Sequence, residues 1–199
     1  MEYYLSLFTF TFVASITPGP NNLMLLVSGL NYGIRKSLPH YFGICLGFAL
    51  MVAVIGVGLG ALFLNYPQTF LFIKILGVVY LLFLGWKIAN AGNMQARKDL
   101  REPLTFLQAA AFQWVNPKAW VIGVGAVAAF TVESHIAQSV IAIIVAFTVA
   151  GLLCMGLWLK LGEVLQGTLR EGGRIQIFNI GMAVLLVLSV IPMILSEIS

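Results

Sequence analysis

Six long apolar runs dominate this 199-residue chain. Each has about 20 residues or more, roughly the number that an α-helix needs to cross the hydrocarbon core of a bilayer. Only 9% of the residues are charged, against about 25% in soluble domains. The sequence therefore predicts an all-α integral membrane protein in a lipid bilayer. Its six transmembrane helices are predicted at about 4–30, 39–63, 69–89, 105–130, 137–160 and 176–196.

The Lys and Arg residues predict how these spans are oriented. Nine of them fall on one side of the predicted membrane, and only Lys74 lies near the surface on the other side. The nine are Arg35, Lys36, Lys87, Arg97, Lys98, Arg101, Lys160, Arg170 and Arg174. Cytoplasmic loops carry an excess of Lys and Arg, so both termini are predicted on the outer side. The net charge of +4 thus fits membrane topology, and no nucleic-acid partner is predicted.

A polar stretch in the middle of the chain divides the spans into two groups of three. We interpret residues 91–104 as a cytoplasmic linker between a repeat at 1–90 and a repeat at 105–199, within a single membrane domain. Because three is an odd number of crossings, the second group must be inverted relative to the first. The sequence therefore predicts two inverted three-helix repeats, an arrangement typical of secondary transporters.

The first and fourth spans are both interrupted by proline. The first contains Thr-Pro-Gly-Pro-Asn at 17–21, and the fourth contains Asn-Pro-Lys at 116–118. Proline ends or kinks a helix, and Thr or Asn before it is typical of an N-cap. The two predicted cap–proline pairs are 99 positions apart (116 − 17), and both are expected in the middle third of the membrane. Matching breaks of this kind point to a transporter binding site.

A break at membrane depth exposes a helix N-terminus, which carries about half a positive charge and can hold a carboxylate. Lys118 is the only basic residue predicted at that depth, where it either faces a polar cavity or snorkels to a surface. The polar side chains near the breaks either bind a ligand or join helices by hydrogen bonds. The predicted substrate-binding set is Thr17, Pro18, Gly19, Pro20, Asn21, Asn22, Gln113, Asn116, Pro117 and Lys118.

Other functions find less support in the residues. No Asp or Glu is predicted deep in any span, so divalent-metal transport through a cage of buried carboxylates or histidines finds little support. No metal site, no cofactor and no enzymatic activity are predicted. A thiol-electron carrier would need paired cysteines beside the breaks, and we expect Cys45 and Cys154 to lie away from both. A non-transporting scaffold is the remaining alternative, but it gives no reason for two matching breaks. A homo-oligomer is left open.

Several motifs resemble those of the LysE/RhtB family of amino-acid exporters. They cover most of the first 120 residues: the element at 17–21, Asn31-Tyr32-Gly33-x-Arg35, Gly43 and Gly47, Gly77-x2-Tyr80-Leu81-x3-Leu84-Gly85-Trp86, and Phe112-Gln113-x2-Asn116-Pro117-Lys118. The resemblance implies efflux across the cell inner (plasma) membrane, driven by the proton motive force. It also implies amino acids such as threonine, homoserine, cysteine or leucine types as cargo. Because a basic amino acid would need a carboxylate partner, we expect neutral cargo.

Overall fold

The computed structural model describes residues 2–59, 67–90, 102–169 and 174–188. These residues form seven α-helices and no β-strand, which confirms the all-α prediction. The helices are α1 (Glu2–Ile16), α2 (Pro20–Val54), α3 (Pro67–Asn90), α4 (Phe106–Gln113), α5 (Pro117–Phe130), α6 (Ile136–Leu169) and α7 (Arg174–Leu188). A π-helical turn, Ile55–Leu59, follows α2, and a 3-10 turn, Glu133–His135, precedes α6. Most of the predicted linker at 91–104 and the end of the sixth predicted span lie outside the described residues.

The outer surface of α6 shows why these helices suit a membrane. Large apolar side chains that are 45% to 61% exposed recur at every fourth position along it. They are Ile141, Val145, Val149, Leu153, Leu157 and Leu161. Residues four apart are neighbours on a helix surface, so these side chains form a continuous apolar strip that winds around α6, where lipid would cover it. By length and composition, two segments, Pro20–Gly58 and Ile136–Leu169, could cross a membrane.

Helix α2 bends sharply at Gly33. This residue has φ 77° and ψ 169°, a backbone conformation that residues with a Cβ rarely adopt. The backbone groups released by the bend find partners on α6. The Glu163 carboxylate accepts from the Ile34 N–H at 3.1 Å, and the Gln166 side chain donates to the Leu30 carbonyl at 2.8 Å. Two side chains of α6 therefore hold the bend in place.

Contacts with α6 show that the chain reverses at this bend. For residues before Gly33, the hydrogen-bond partners on α6 have increasing residue numbers along the chain, and for residues after Gly33 they have decreasing numbers. In chain order, the hydrogen-bonded pairs are Ile16 with Trp158, Leu30 with Gln166, Ile34 with Glu163, and Tyr41 with Leu152. Helix α1 and the first segment of α2 therefore run along α6 in one direction. The second segment of α2 returns in the other.

The helices α4 and α5 follow the second segment of α2 in the same way. Glycines allow this close approach, since a side chain at Gly43 or Gly47 would run into the α4 backbone. The neighbouring pairs are Gly43 with Phe106, Gly47 with Ala110, and Ile55 with Gly123. Helices α3 and α7 pack against each other, and Gln176 donates to the Ala89 carbonyl at 2.6 Å. The six-span inverted repeat itself stays a prediction.

Candidate functional site

The first break separates α1 from α2. Helix α1 ends at Ile16, and Pro20 occupies the first turn of α2 with Gly19 as its N-cap. The prediction that Thr17 caps the second helix was wrong. Its hydroxyl donates to the Val13 carbonyl at 2.5 Å, and its N–H donates to the same oxygen at 3.1 Å. Thr17 therefore completes the last turn of α1, and among the described residues no side chain caps α2.

The second break, between α4 and α5, is closed by its own residues. Asn116 is the N-cap of α5, and its side-chain oxygen accepts from the Lys118 N–H at 3.1 Å. Pro117 follows in the first turn, as its position after Asn116 predicts. The Trp114 carbonyl accepts from the Trp120 indole N–H at 2.8 Å. The backbone groups of this break thus find partners within seven residues of one another.

Two side-chain contacts join the breaks, which are about a hundred positions apart in the chain. The Lys118 ammonium donates to the carbonyls of Thr17 at 2.7 Å and Pro18 at 3.3 Å. The amides of Asn21 and Gln113 exchange hydrogen bonds of 2.8 and 3.2 Å. A cation at the C-terminal end of α1 is also favourable for the helix dipole. The structure therefore brings residues of both predicted breaks together.

Gly19 leaves the space that the Lys118 side chain occupies. A Cβ at this position would lie 2.8 Å from Lys118 Cδ and 2.9 Å from its Nζ. Such distances are shorter than real Cβ contacts, so any side chain here would displace the lysine. The requirement for glycine comes from this close approach, since its backbone is fully extended.

The carbonyls at the end of α1 are also bonded by other side chains. The Asn22 amide donates to the Ser15 carbonyl at 2.9 Å, and the Trp158 indole donates to the Ile16 carbonyl at 3.2 Å. The start of α2 differs, because Pro20 has no N–H and the first intrahelical bond comes from Leu23. Within the described residues, no side chain caps the N–H groups of residues 21 and 22. These two N–H groups can therefore donate hydrogen bonds to a bound anion.

A cavity that is partly open to the exterior lies against both breaks. Its polar lining consists of Ser15, Asn21, Asn22, Asn116 and Lys118, and no acidic residue is among the described residues that line it. The largest apolar side chains of its wall are Ile44, Phe48, Ile122, Phe147 and Met155. We call it the first cavity. One end can hold an anionic group, and the rest suits an uncharged side chain.

Five of the ten predicted site residues line this cavity: Pro20, Asn21, Asn22, Asn116 and Lys118. Gln113 is buried behind Asn21, Pro117 is buried at the start of α5, and Gly19 is buried beside Lys118. Thr17 and Pro18 are exposed and contribute carbonyls to Lys118. Lys118 and Thr17 also line a mainly apolar groove between α1 and α5. Lys118 therefore stands between the cavity and the groove.

The sequence did not reveal the residues that α6 and the second segment of α2 contribute to this cavity. Cys45 lines it together with Pro20, so the expectation that both cysteines lie away from the breaks was wrong for Cys45. Cys154 packs instead against the Phe12 carbonyl, at 3.8 Å, and both thiols are unpaired. Gly43 and Gly47 were the features of the sequence that could have indicated the contribution of α2, because they let it pack close to α4 beside the second break.

Comparison with known proteins identifies the family. The profile of the LysE type translocator family matches residues 12–195. The chain belongs to the LysE family. The resemblance noted in the sequence is therefore confirmed, and this LysE-family chain is an efflux transporter and not an enzyme.

Similar LysE-family proteins carry the name cysteine/O-acetylserine efflux protein. They include those of Escherichia coli strain K12, Escherichia coli O6:K15:H31 and Shigella flexneri. Each is 32% identical over 181 residues, which cover 90% of this chain and 91% of the relative. No solved structure matches the chain.

Proposed function

We propose that this protein exports small neutral amino acids or their derivatives from the cytoplasm, and that the first cavity is the cargo site. The observation that carries the proposal is the combination of Lys118 and the uncapped start of α2 in a cavity with apolar walls. These groups attract a carboxylate, and the apolar walls suit an uncharged side chain. Cysteine and O-acetylserine, named for the relatives, fit this description, as do threonine, homoserine and leucine types.

The first break can also receive the ammonium group of the cargo. The end of α1 and the start of α2 meet there, so acceptor carbonyls lie next to donor N–H groups. In this structure the Lys118 ammonium occupies the carbonyls of Thr17 and Pro18. We expect the cargo ammonium to take that place while Lys118 moves to the cargo carboxylate. A zwitterion would then have both charges compensated.

The proposed mechanism is alternating access between two inverted three-helix halves. The matching helix contacts support it, since α1 and the first segment of α2 follow α6 as α4 and α5 follow the second segment of α2. The first cavity is lined by residues of both halves, so rocking one half against the other would open it to each side in turn. In this proposal Lys118 closes the path toward the groove between α1 and α5.

We place the protein in the cell inner membrane with both termini on the outer side. The positions of the basic residues support this orientation, because the basic loops would then be cytoplasmic. Reporter fusions test it, with a fusion at residue 97 inside and one at residue 133 outside. The opposite result at either site would overturn the topology. The proton motive force as the energy source rests on the family resemblance.

An export screen tests the proposed function. Cells that overproduce the protein would be challenged with each neutral amino acid in turn, and resistance and extracellular accumulation would be measured. We expect accumulation of at least one small neutral amino acid or derivative, and its loss in the Lys118→Ala variant at equal membrane content. Gly181→Ala is the matched control, because Gly181 is exposed on α7 with nothing within 4 Å of the added Cβ. If no amino acid accumulates above the level of cells without the protein, the proposal is wrong.

A further inference from the structure

A second cavity, also partly open to the exterior, lies further along α2. Asn21 and Asn22 line the first cavity, and Ser28 and Tyr32 line the second. The seven residues from Asn21 to Ser28 correspond to about 10 Å along a helix. The other walls come from the end of α3 and from residues 102–104. In the proposed topology this is the cytoplasmic side of the protein, where an exporter takes up its cargo.

A buried histidine faces this second cavity without a partner. His40 is 2% exposed, and neither of its ring nitrogens has a hydrogen-bond partner among the described residues. Buried polar groups are normally hydrogen-bonded, because leaving one unpaired costs about 1–3 kcal/mol. Ser28, which lines the same cavity, already pairs with Ser37 at 2.7 Å. The imidazole of His40 therefore offers a donor and an acceptor to a molecule in the cavity.

The cavity also carries one side chain of each charge. Lys87 on α3 and Glu102 both line it, and the described residues contain no ion pair between them. The Lys87 ammonium instead lies 5.4 Å from the centre of the Phe83 ring. A purely anionic or cationic ligand would face one like charge in this cavity. A zwitterion can place its carboxylate at the lysine and its ammonium at the glutamate.

We propose that the second cavity is an entry site, which binds an α-amino acid zwitterion from the cytoplasm before it passes to the first cavity. Lys87 binds the carboxylate, Glu102 binds the ammonium, and His40 hydrogen-bonds to the cargo. The apolar side chains of Met24 and Leu84 contact the remainder of the molecule. This inference rests on the proposed export function and adds a second binding site to it.

Transport into inside-out membrane vesicles tests the entry site, because the cytoplasmic face is then exposed to a known concentration of labelled O-acetylserine or cysteine. We expect Lys87→Gln and Glu102→Gln each to raise KM about five- to tenfold and to leave the maximal rate nearly unchanged. His40→Gln, which keeps a donor and an acceptor, should raise KM less than His40→Leu. Lys36→Gln is the matched control, since Lys36 is an exposed lysine of α2 that lines neither cavity.

The number of bound cargo molecules per chain gives an independent readout. We expect the purified protein to bind two molecules of the transported amino acid per chain, and one in the Lys87→Gln, Glu102→Gln double variant. One molecule in both proteins, or an unchanged KM in both single variants, would overturn the entry site. A fall in maximal rate at constant KM would also overturn it, because that result indicates a structural role. If the parent protein transports no amino acid at all, the proposed function has failed instead.

Discussion

The two breaks differ in how their backbone groups are satisfied. At the second break, Asn116 caps α5 and Trp120 bonds the Trp114 carbonyl, so the break is stable by itself. At the first break, Asn22 bonds the Ser15 carbonyl locally, but the carbonyls of residues 16–18 depend on Trp158 and Lys118 from the other half of the chain. Among the described residues, no side chain caps the start of α2. Proline alone therefore does not make a binding site. The break with fewer local partners is the one that can respond to a ligand.

The comparison predicts the largest loss of activity for Lys118→Ala. This change removes the cation that bonds the Thr17 and Pro18 carbonyls and that we expect to bind the cargo carboxylate. Truncating one member of a buried charge pair costs about 2–5 kcal/mol, so initial export rates should fall by tens-fold or more. Lys118→Arg should recover only part of the rate, because its larger planar head must fit beside Gly19. Export by Lys118→Ala at the parent rate and equal expression would show that the lysine is not a ligand.

The next largest effect is expected for Gly19→Ala. The added methyl group would lie within 3 Å of the Lys118 side chain, so the lysine must move from its two carbonyls. The displaced ammonium would lose its hydrogen bonds to both carbonyls, each worth about 0.5–1.5 kcal/mol or more for a charged donor, and we expect export to fall by about tenfold. Gly181→Ala adds the same methyl group in open space and should export normally. Equal rates for the two variants would mean that the closeness of Gly19 and Lys118 is unimportant.

A smaller effect, on the stability of the protein, should distinguish Asn116 from Thr17, the two residues that the sequence predicts as caps. Asn116→Ala removes the side chain that caps α5, which costs about 1 kcal/mol of stability, and Asn116→Ser should restore most of it. Thr17→Ala removes only a bond to the Val13 carbonyl at an exposed position and should cost less. Thermal unfolding of the purified variants in detergent measures both. A greater loss in Thr17→Ala would contradict the assignment of the caps.

The smallest effect concerns the amide pair that joins the breaks. Asn21 and Gln113 exchange two hydrogen bonds, each worth about 0.5–1.5 kcal/mol, so Asn21→Ala and Gln113→Ala should be non-additive. A double-mutant cycle on unfolding temperature or export rate gives the coupling. Additive losses would mean that the two amides act separately and do not link the breaks.

The sequence predicted the helical class and several cavity residues, because hydropathy and proline act locally along the chain. The LysE family came from the resemblance of its motifs. The sequence misassigned the first cap. Thr17 and Asn116 both precede proline, but the Thr17 hydroxyl bonds back to the Val13 carbonyl four residues earlier, and the next helix begins at Pro20. The contributions of Cys45, Phe48 and Phe147 were also not predictable. They depend on how α2 and α6 cross, and an apolar residue in a span carries no sign of which face will line a cavity.

The central claim is that Lys118 and the uncapped start of α2 hold the carboxylate of the cargo. Binding of the transported amino acid and of its carboxyl amide to the purified protein tests this claim most directly. We expect the amide to bind at least about tenfold more weakly than the acid, as loss of a charge-assisted hydrogen bond implies. In Lys118→Ala that preference should shrink to the part due to the helix terminus. Equal binding of acid and amide by the parent protein, or an unchanged preference in Lys118→Ala, would contradict the claim.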